Sequence, residues 1–322
     1  MASPSTSLAT LRPDLAGSFM EFDLAANAAG YIGHKVLPVM EVQAASGVFG
    51  KIPLEQLLQD RDTLRAPGGG YSRSNWTFTT DSFACVEHGA EEPVDDNEAK
   101  MYSEYFDAEV VSALRAYDAV LRNAETRVAN AVFNATTWTP TTVTNEWDDL
   151  TNATPLTDVE AAVQRVYDAC GLMADTLIVN WKVFRNLRNC SQVIDRINSA
   201  GAGNPSKASD VTADMLARVF DLKQVLVAGA SYNSAAEGQT ASPTQIWSSE
   251  YAAVCKVCDS NDIRQAGLGR TFHWGADGSS VGGTVESYRE EQTRSDIIRV
   301  RHQVDEKIIY TEALELLDNI TT

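Results

Sequence analysis

Residues 98–134 constrain the fold more than any other stretch. These 37 residues contain neither Gly nor Pro. Phe106, Val110, Leu114, Tyr117, Leu121, Ala124, Val128 and Val132 recur along them in steps of three and four, the period of one helical face. Asp95, Asp96 and Asn97 stand just before as cap candidates, and acidic residues in a first turn suit the positive end of the helix dipole. At about 1.5 Å of rise per residue, one helix on the order of 50 Å is predicted, longer than a compact small domain is wide. Such a helix is expected to be a spine laid against something flat. Phe106, Val110, Leu114, Tyr117, Leu121 and Val128 form its packing face. Glu104, Arg115, Arg122 and Glu125 are candidates for the outer surface.

The flanks read differently. Residues 1–16 are rich in Ser, Thr and Pro, as a mobile arm would be, and residues 17–29 read as a short helix with Phe19 and Phe22 as contacts. Pro38 makes the segment around it an extended or edge segment, not a central strand. Residues 46–53 and 73–87 have β character with little material for a core, so this ribbon must lie against something, most simply another chain. Gly68, Gly69 and Gly70 mark a hinge or turn within it. After the spine, a Thr-rich connector leads to a helix opened by the capping box Thr157–Glu160 and ending near Cys170. A buried strand at 176–180, helical segments over 180–198 and 210–220 and a strand at 223–229 complete a compact α/β unit. Residues 251–257 read as a further strand, and 260–283 as glycine-rich and irregular. Ile298, Val300, His302 and Val304 alternate with Ile297, Arg299, Arg301 and Gln303. Asp305 and Glu306 read as a turn and 307–314 as a returning strand, a hairpin on which the spine rests.

No catalytic constellation stands out. Cys255 and Cys258 form a CxxC with no second pair, read as structural thiols, and five irregularly spaced cysteines do not make a disulfide framework. His34, His88, His273 and His302 lie in different elements, and no glycine cluster has a phosphate-cradling spacing. Glu91, Glu92, Asp95 and Asp96 read as a solvated, self-repelling hinge plus a helix start. The net charge of −18 opposes an electrostatic grip on nucleic acid. No signal peptide or membrane span is expected. The chain is read as no enzyme and as needing no cofactor.

The order of parts resembles the major capsid proteins of tailed bacteriophages, the Hong Kong 97 fold. The resemblance runs over roughly residues 17–318. It is carried by Tyr31-Ile-Gly-His-Lys-Val-Leu-Pro-Val-Met-Glu-Val42 with Ser46-Gly-Val-Phe49, by Val179-Asn-Trp-Lys-Val-Phe-Arg-Asn-Leu187, and by Val225-Leu-Val-Ala-Gly-Ala-Ser-Tyr-Asn233 with Ile246-Trp247. Glu286-Ser-Tyr-Arg-Glu-Glu291 through Arg294-Ser-Asp-Ile-Ile-Arg-Val300 adds the closing strands. The resemblance implies an α+β capsid fold with an N-terminal arm (1–43), an extended β-loop (44–93), a peripheral domain with spine helix and β-sheet (94–150 and 284–322) and an α/β axial domain (151–283). It implies pentamers and hexamers of the chain, built into an icosahedral virion head assembled in the host bacterial cytoplasm. The head would enclose double-stranded DNA without sequence-specific binding, with scaffolding, portal and decoration proteins as further partners and no membrane. Phe19, Phe22, Trp76 and Phe78 would meet neighbouring subunits, and no Lys–Asn crosslink is assigned. The alternatives are an encapsulin-like shell with protein cargo, or an α/β enzyme with a helical insertion.

Overall fold

The computed structural model describes residues 10–11, 30–51, 53, 59–60, 62–73, 77, 79–102, 107–199, 211–236, 238–260, 265–276 and 278–321. In chain order its elements begin with β1 (Thr10–Leu11), α1 (Gly33–Val36), β2 (Val39–Val42), β3 (Ser46–Lys51), β4 (Thr79–Ala84) and β5 (Val86–Asp95). Next come α2 (Asp96–Tyr102), α3 (Ala108–Val132), β6 (Thr141–Thr142), α4 (Pro155–Cys170), β7 (Thr176–Asn180), α5 (Trp181–Leu187), α6 (Ser191–Ser199) and α7 (Ala213–Val219). The chain closes with β8 (Gln224–Ala228), β9 (Ser231–Asn233), β10 (Pro243–Gln245), β11 (Ala252–Cys255), β12 (Gly269–Trp274), β13 (Thr284–Glu290), β14 (Ser295–Ile308) and β15 (Leu314–Asp318).

The spine is two helices rather than one. Asp107 has an extended backbone, and its carboxylate accepts the Glu109 N–H, which starts α3 afresh. At 25 residues, α3 is about 37 Å long. Asp95 does cap α2, accepting the Asn97 and Glu98 N–H groups. Phe106 lies outside the described residues, as do Phe19, Phe22, Trp76, Phe78 and Glu104.

Two sheets flank α3. The first runs β1-β13-β14-β12-β2, with β5 also paired along β14. Its organiser is β14, 14 residues without a break. The turn expected at Asp305–Glu306 does not exist, because both side chains are used to hold the strand in place. Asp305 accepts the Ala84 N–H at 2.9 Å, and Glu306 pairs with Arg127 of α3 at 2.7 Å. Strand β12, in a region expected to be irregular, pairs with β14 and, in parallel, with β2 at the sheet edge after Pro38. Along β14 the residues Ile298, Val300, His302 and Val304 are buried. Arginines of β14 and β13 answer the acidic run instead of leaving it to repel itself: Arg299 pairs with Glu91, and Arg289 grips Asp96 bidentately. Residues 91–95 are therefore strand, not hinge.

The second sheet runs β6-β15-β11-β7-β8. Strand β15 does not return to β14 as a hairpin; it crosses into this sheet. Strand β12 thus joins the first sheet although it falls within 151–283, and β15 joins the second although it falls within 284–322. Strand β7 is buried throughout, as a strand covered on both faces should be. Leu177 and Val179 point into a core under α4 to α7, and Ile178 points into a second core shared with Val128, Ala129 and Val132 of α3. Helix α4 begins three residues earlier than the capping box predicted, with Pro155 in its first turn and Thr154 at the N-cap. Asp158 instead accepts the Trp147 indole N–H at 3.0 Å.

Candidate functional site

Helix α3 is the member common to both halves. Its first turns press Ala113, Ala116, Tyr117, Val120 and Leu121 against Val94, Val285, Ile298 and Val300 of the first sheet. Val110 and Leu114 are partly buried against the same cluster. Its last turns, with Val128, enter the core of the second sheet.

Between the two lies Glu125, expected on the outer surface and found only 4% exposed. Its carboxylate accepts the Ile32 N–H at 2.9 Å, the Gly33 N–H at 2.7 Å and the Trp247 indole N–H at 2.6 Å. The first two are unpaired amides at the start of α1, the groups a helix N-terminus offers to an anion. A Cβ on Gly33 would stand 2.7 Å from Glu125 Oε2, so glycine is required for the approach. Trp247 is buried, meets Phe133 edge-on at 4.9 Å, and its carbonyl receives the Asn180 side-chain amide. One carboxylate thus joins the segment before β2, the spine and the loop before β11, whose Trp247 sits in the core beside the second sheet. Burial pushes its pKa up, against the pull of the three donors. The sequence did carry a signal: Glu125 stands four residues after Leu121, on the packing face.

The ribbon β3–β4 is the second feature. Its base rests on its own subunit. Phe83 stacks on Phe272 at 4.7 Å and Phe49 meets the same ring at 5.8 Å. Lys51 lies over the Tyr310 ring and donates to the Ile309 carbonyl, and Lys307 pairs with Asp81 at 3.0 Å. Its other face carries Val48, 71% exposed, and the loop beyond carries Leu64, 87% exposed, and Tyr71 with Arg65 over its ring. Phe83→Ala is expected to release the base without unfolding the body. A local loss of about 1.4 kcal/mol would speed amide exchange of residues 79–84 about tenfold, leaving that of β14 unchanged.

The structure brings two of the four histidines together. His88 and His302 face each other across β5 and β14 at 6.0 Å between ring centroids. Burial pushes His302 down to about 4, with Arg127 adding to the effect, and burial likewise lowers His88. Both rings are neutral packing groups at pH 7. All five cysteines are free, and burial raises Cys255 and Cys258. Among the described residues no group of three or more His, Cys, Asp or Glu is placed to hold a metal ion. No helix among them is long and apolar enough to cross a membrane.

The chain has the α+β capsid fold that the sequence resemblance implies, shared over nearly its whole length with solved phage proteins. No family model and no curated protein matches the sequence. By structure the chain is similar to a phage-related protein from Bordetella bronchiseptica, with a TM-score of 0.67 at 17% identity over 97% of this chain and 98% of that one. It is also similar to the capsid of cyanophage P-SCSP1u, with a TM-score of 0.58 at 10% identity over 88% and 86% of the two chains. The SrpI encapsulin of Synechococcus elongatus gives a TM-score of 0.51 at 11% identity over 99% and 92%.

Proposed function

We propose that the chain is the major capsid protein of a bacteriophage, assembling through pentamers and hexamers into an icosahedral head around double-stranded DNA. The observation that carries this reading is the whole-chain likeness to phage proteins, 97% of this chain on 98% of the first. The exposed face of the ribbon and its apolar tip residues support it, since a subunit that leaves Leu64 and Tyr71 in water is completed by a neighbour. A net charge of −18 suits a wall that must enclose DNA without gripping it. Within this reading the first sheet with α3 is the peripheral domain, the second sheet with α4 to α7 is the axial domain, and no catalytic role is assigned. The likeness to an encapsulin favours a second reading, the same shell around a protein cargo.

Size-exclusion chromatography of the expressed chain followed by negative-stain microscopy tests the proposal. Closed particles are expected. A chain that stays monomeric under every assembly condition would overturn both readings, and nuclease-protected DNA against a co-purifying protein inside phage-derived particles separates them.

A further inference from the structure

An open groove of about 680 Å³ runs along the outer side of α4 and continues into a hollow of about 280 Å³. Leu156, Val163, Val219 and Phe220 give it an apolar floor, and the carboxylates of Glu160 and Asp221 are exposed along it, with Arg196 at one end. Met173 and Tyr167, both exposed, form its lip. Glu160 and Asp221 make no ion pair among the described residues. The groove is therefore an apolar trough with two carboxylates that form no ion pair among the described residues.

The complementary surface is on the same molecule. Residues 181–188, WKVFRNLR, hold three cations and no carboxylate in a chain of net charge −18. Trp181 opens α5 and is 49% exposed, with the Arg185 guanidinium 5.0 Å from its ring. An aromatic ring paired with a guanidinium is the kind of anchor that fills an apolar pocket while its charge meets a carboxylate. In the same subunit neither Trp181 nor Arg185 lines the groove. Trp181 follows the C-terminal end of β7, whereas Ala174 precedes that strand and Asp221 precedes the parallel β8. Five residues of strand, about 16 Å, lie between.

We infer that Trp181 and Arg185 of one copy dock into the groove between α4 and α7 of the next, with Arg185 meeting Glu160 and Asp221. The inference rests on the self-assembly reading and names a surface for it. Two different patches are joined, so the contact is heterologous: it propagates head to tail and closes as a ring where the rotation allows. A cationic patch facing acidic copies of the same chain also gains from the charge each copy carries.

Disulfide trapping tests this in a Cys85→Ser background, the other four cysteines being buried. Under mild oxidation, Arg185→Cys with Asp221→Cys in one chain is expected to give a ladder of covalent multimers. An equimolar mixture of the two single variants is expected to give dimers only, and each single variant alone none. Separately, Arg185→Glu is expected to cut particle yield at least tenfold with circular dichroism unchanged, and Arg185→Glu with Asp221→Arg to restore it. Particles that form without a ladder, or dimers from one single variant alone, overturn the inference and leave the capsid reading standing. A wild-type chain that never assembles overturns both. Arg185→Glu that spares particle yield but abolishes retention on duplex DNA assigns the patch to nucleic acid and also overturns it.

Discussion

Replacing Glu125 with Leu is expected to leave little folded protein. Leucine fills similar volume but accepts nothing, so the Ile32 and Gly33 amides and the Trp247 indole lose their shared acceptor inside the protein. Each unsatisfied buried donor costs about 1–3 kcal/mol. Even with partial relaxation the sum is at least about 3 kcal/mol against a total stability of about 5–15. Glu125→Gln separates the hydrogen-bonding role from the charge. A carbonyl in the place of Oε1 keeps Ile32 and Trp247, while the new amide turns a donor toward Gly33. Loss of about 1–3 kcal/mol is expected, read by urea denaturation of the soluble subunit.

Acidity gives the same pair a second readout. Burial holds the Glu125 carboxyl above the ordinary carboxylate range, so the folded chain binds its proton more tightly than the unfolded chain does. The cost of keeping it ionised is full above the folded pKa and fades as pH falls toward the unfolded value of about 4.3. Wild type is therefore expected to gain stability relative to Glu125→Gln on going from pH 7 to pH 5. A gap that widens in the opposite direction would mean the three donors outweigh burial.

Why was Glu125 misplaced from sequence while most helices and strands were not? Periodicity reports which face of a helix is covered, and by spacing Glu125 was on the covered face. Its charge argued otherwise, and only the backbone donors of residues 32 and 33, more than ninety positions away, reverse that argument. The same kind of long-range partner hid the course of β14. Asp305 and Glu306 look like a turn because acidic pairs usually face water. Here Ala84 and Arg127 hold them in an extended strand. Strand β12 was masked by flanking glycines, although Arg270, Thr271 and Phe272 are buried. Legible signals were local: the apolar run Leu177, Ile178 and Val179 of β7, the extended segment after Pro38, and Asp95 as a cap. The break at Asp107 was also written locally, as a capping residue inside an otherwise unbroken helical pattern. The groove along α4 left no such trace, since it is made by three helices whose packing no single segment encodes.

The two faces of α3 yield the other large effect. Val128 is buried in the core shared with the second sheet, so Val128→Asp places an uncompensated carboxylate where nothing can solvate it. Loss of the soluble fold is expected, whereas Val128→Ala, which removes only two methyl groups, should cost about 2 kcal/mol and still fold. On the opposite face Val111, Arg115, Ala119 and Asn123 are exposed at steps of four. Arg115 reaches Glu92 at 3.5 Å, but its side chain is 70% exposed, and such a pair is worth well under about 1 kcal/mol. Arg115→Glu should therefore leave the denaturation midpoint of the subunit within about 0.5 kcal/mol of wild type. If this face meets a neighbour, the same change alters particle yield. Circular dichroism with denaturation, followed by microscopy of the same samples, reads both. Equal loss of folding from Val128→Asp and Arg115→Glu would mean that α3 is enclosed on both sides and is not a two-faced spine.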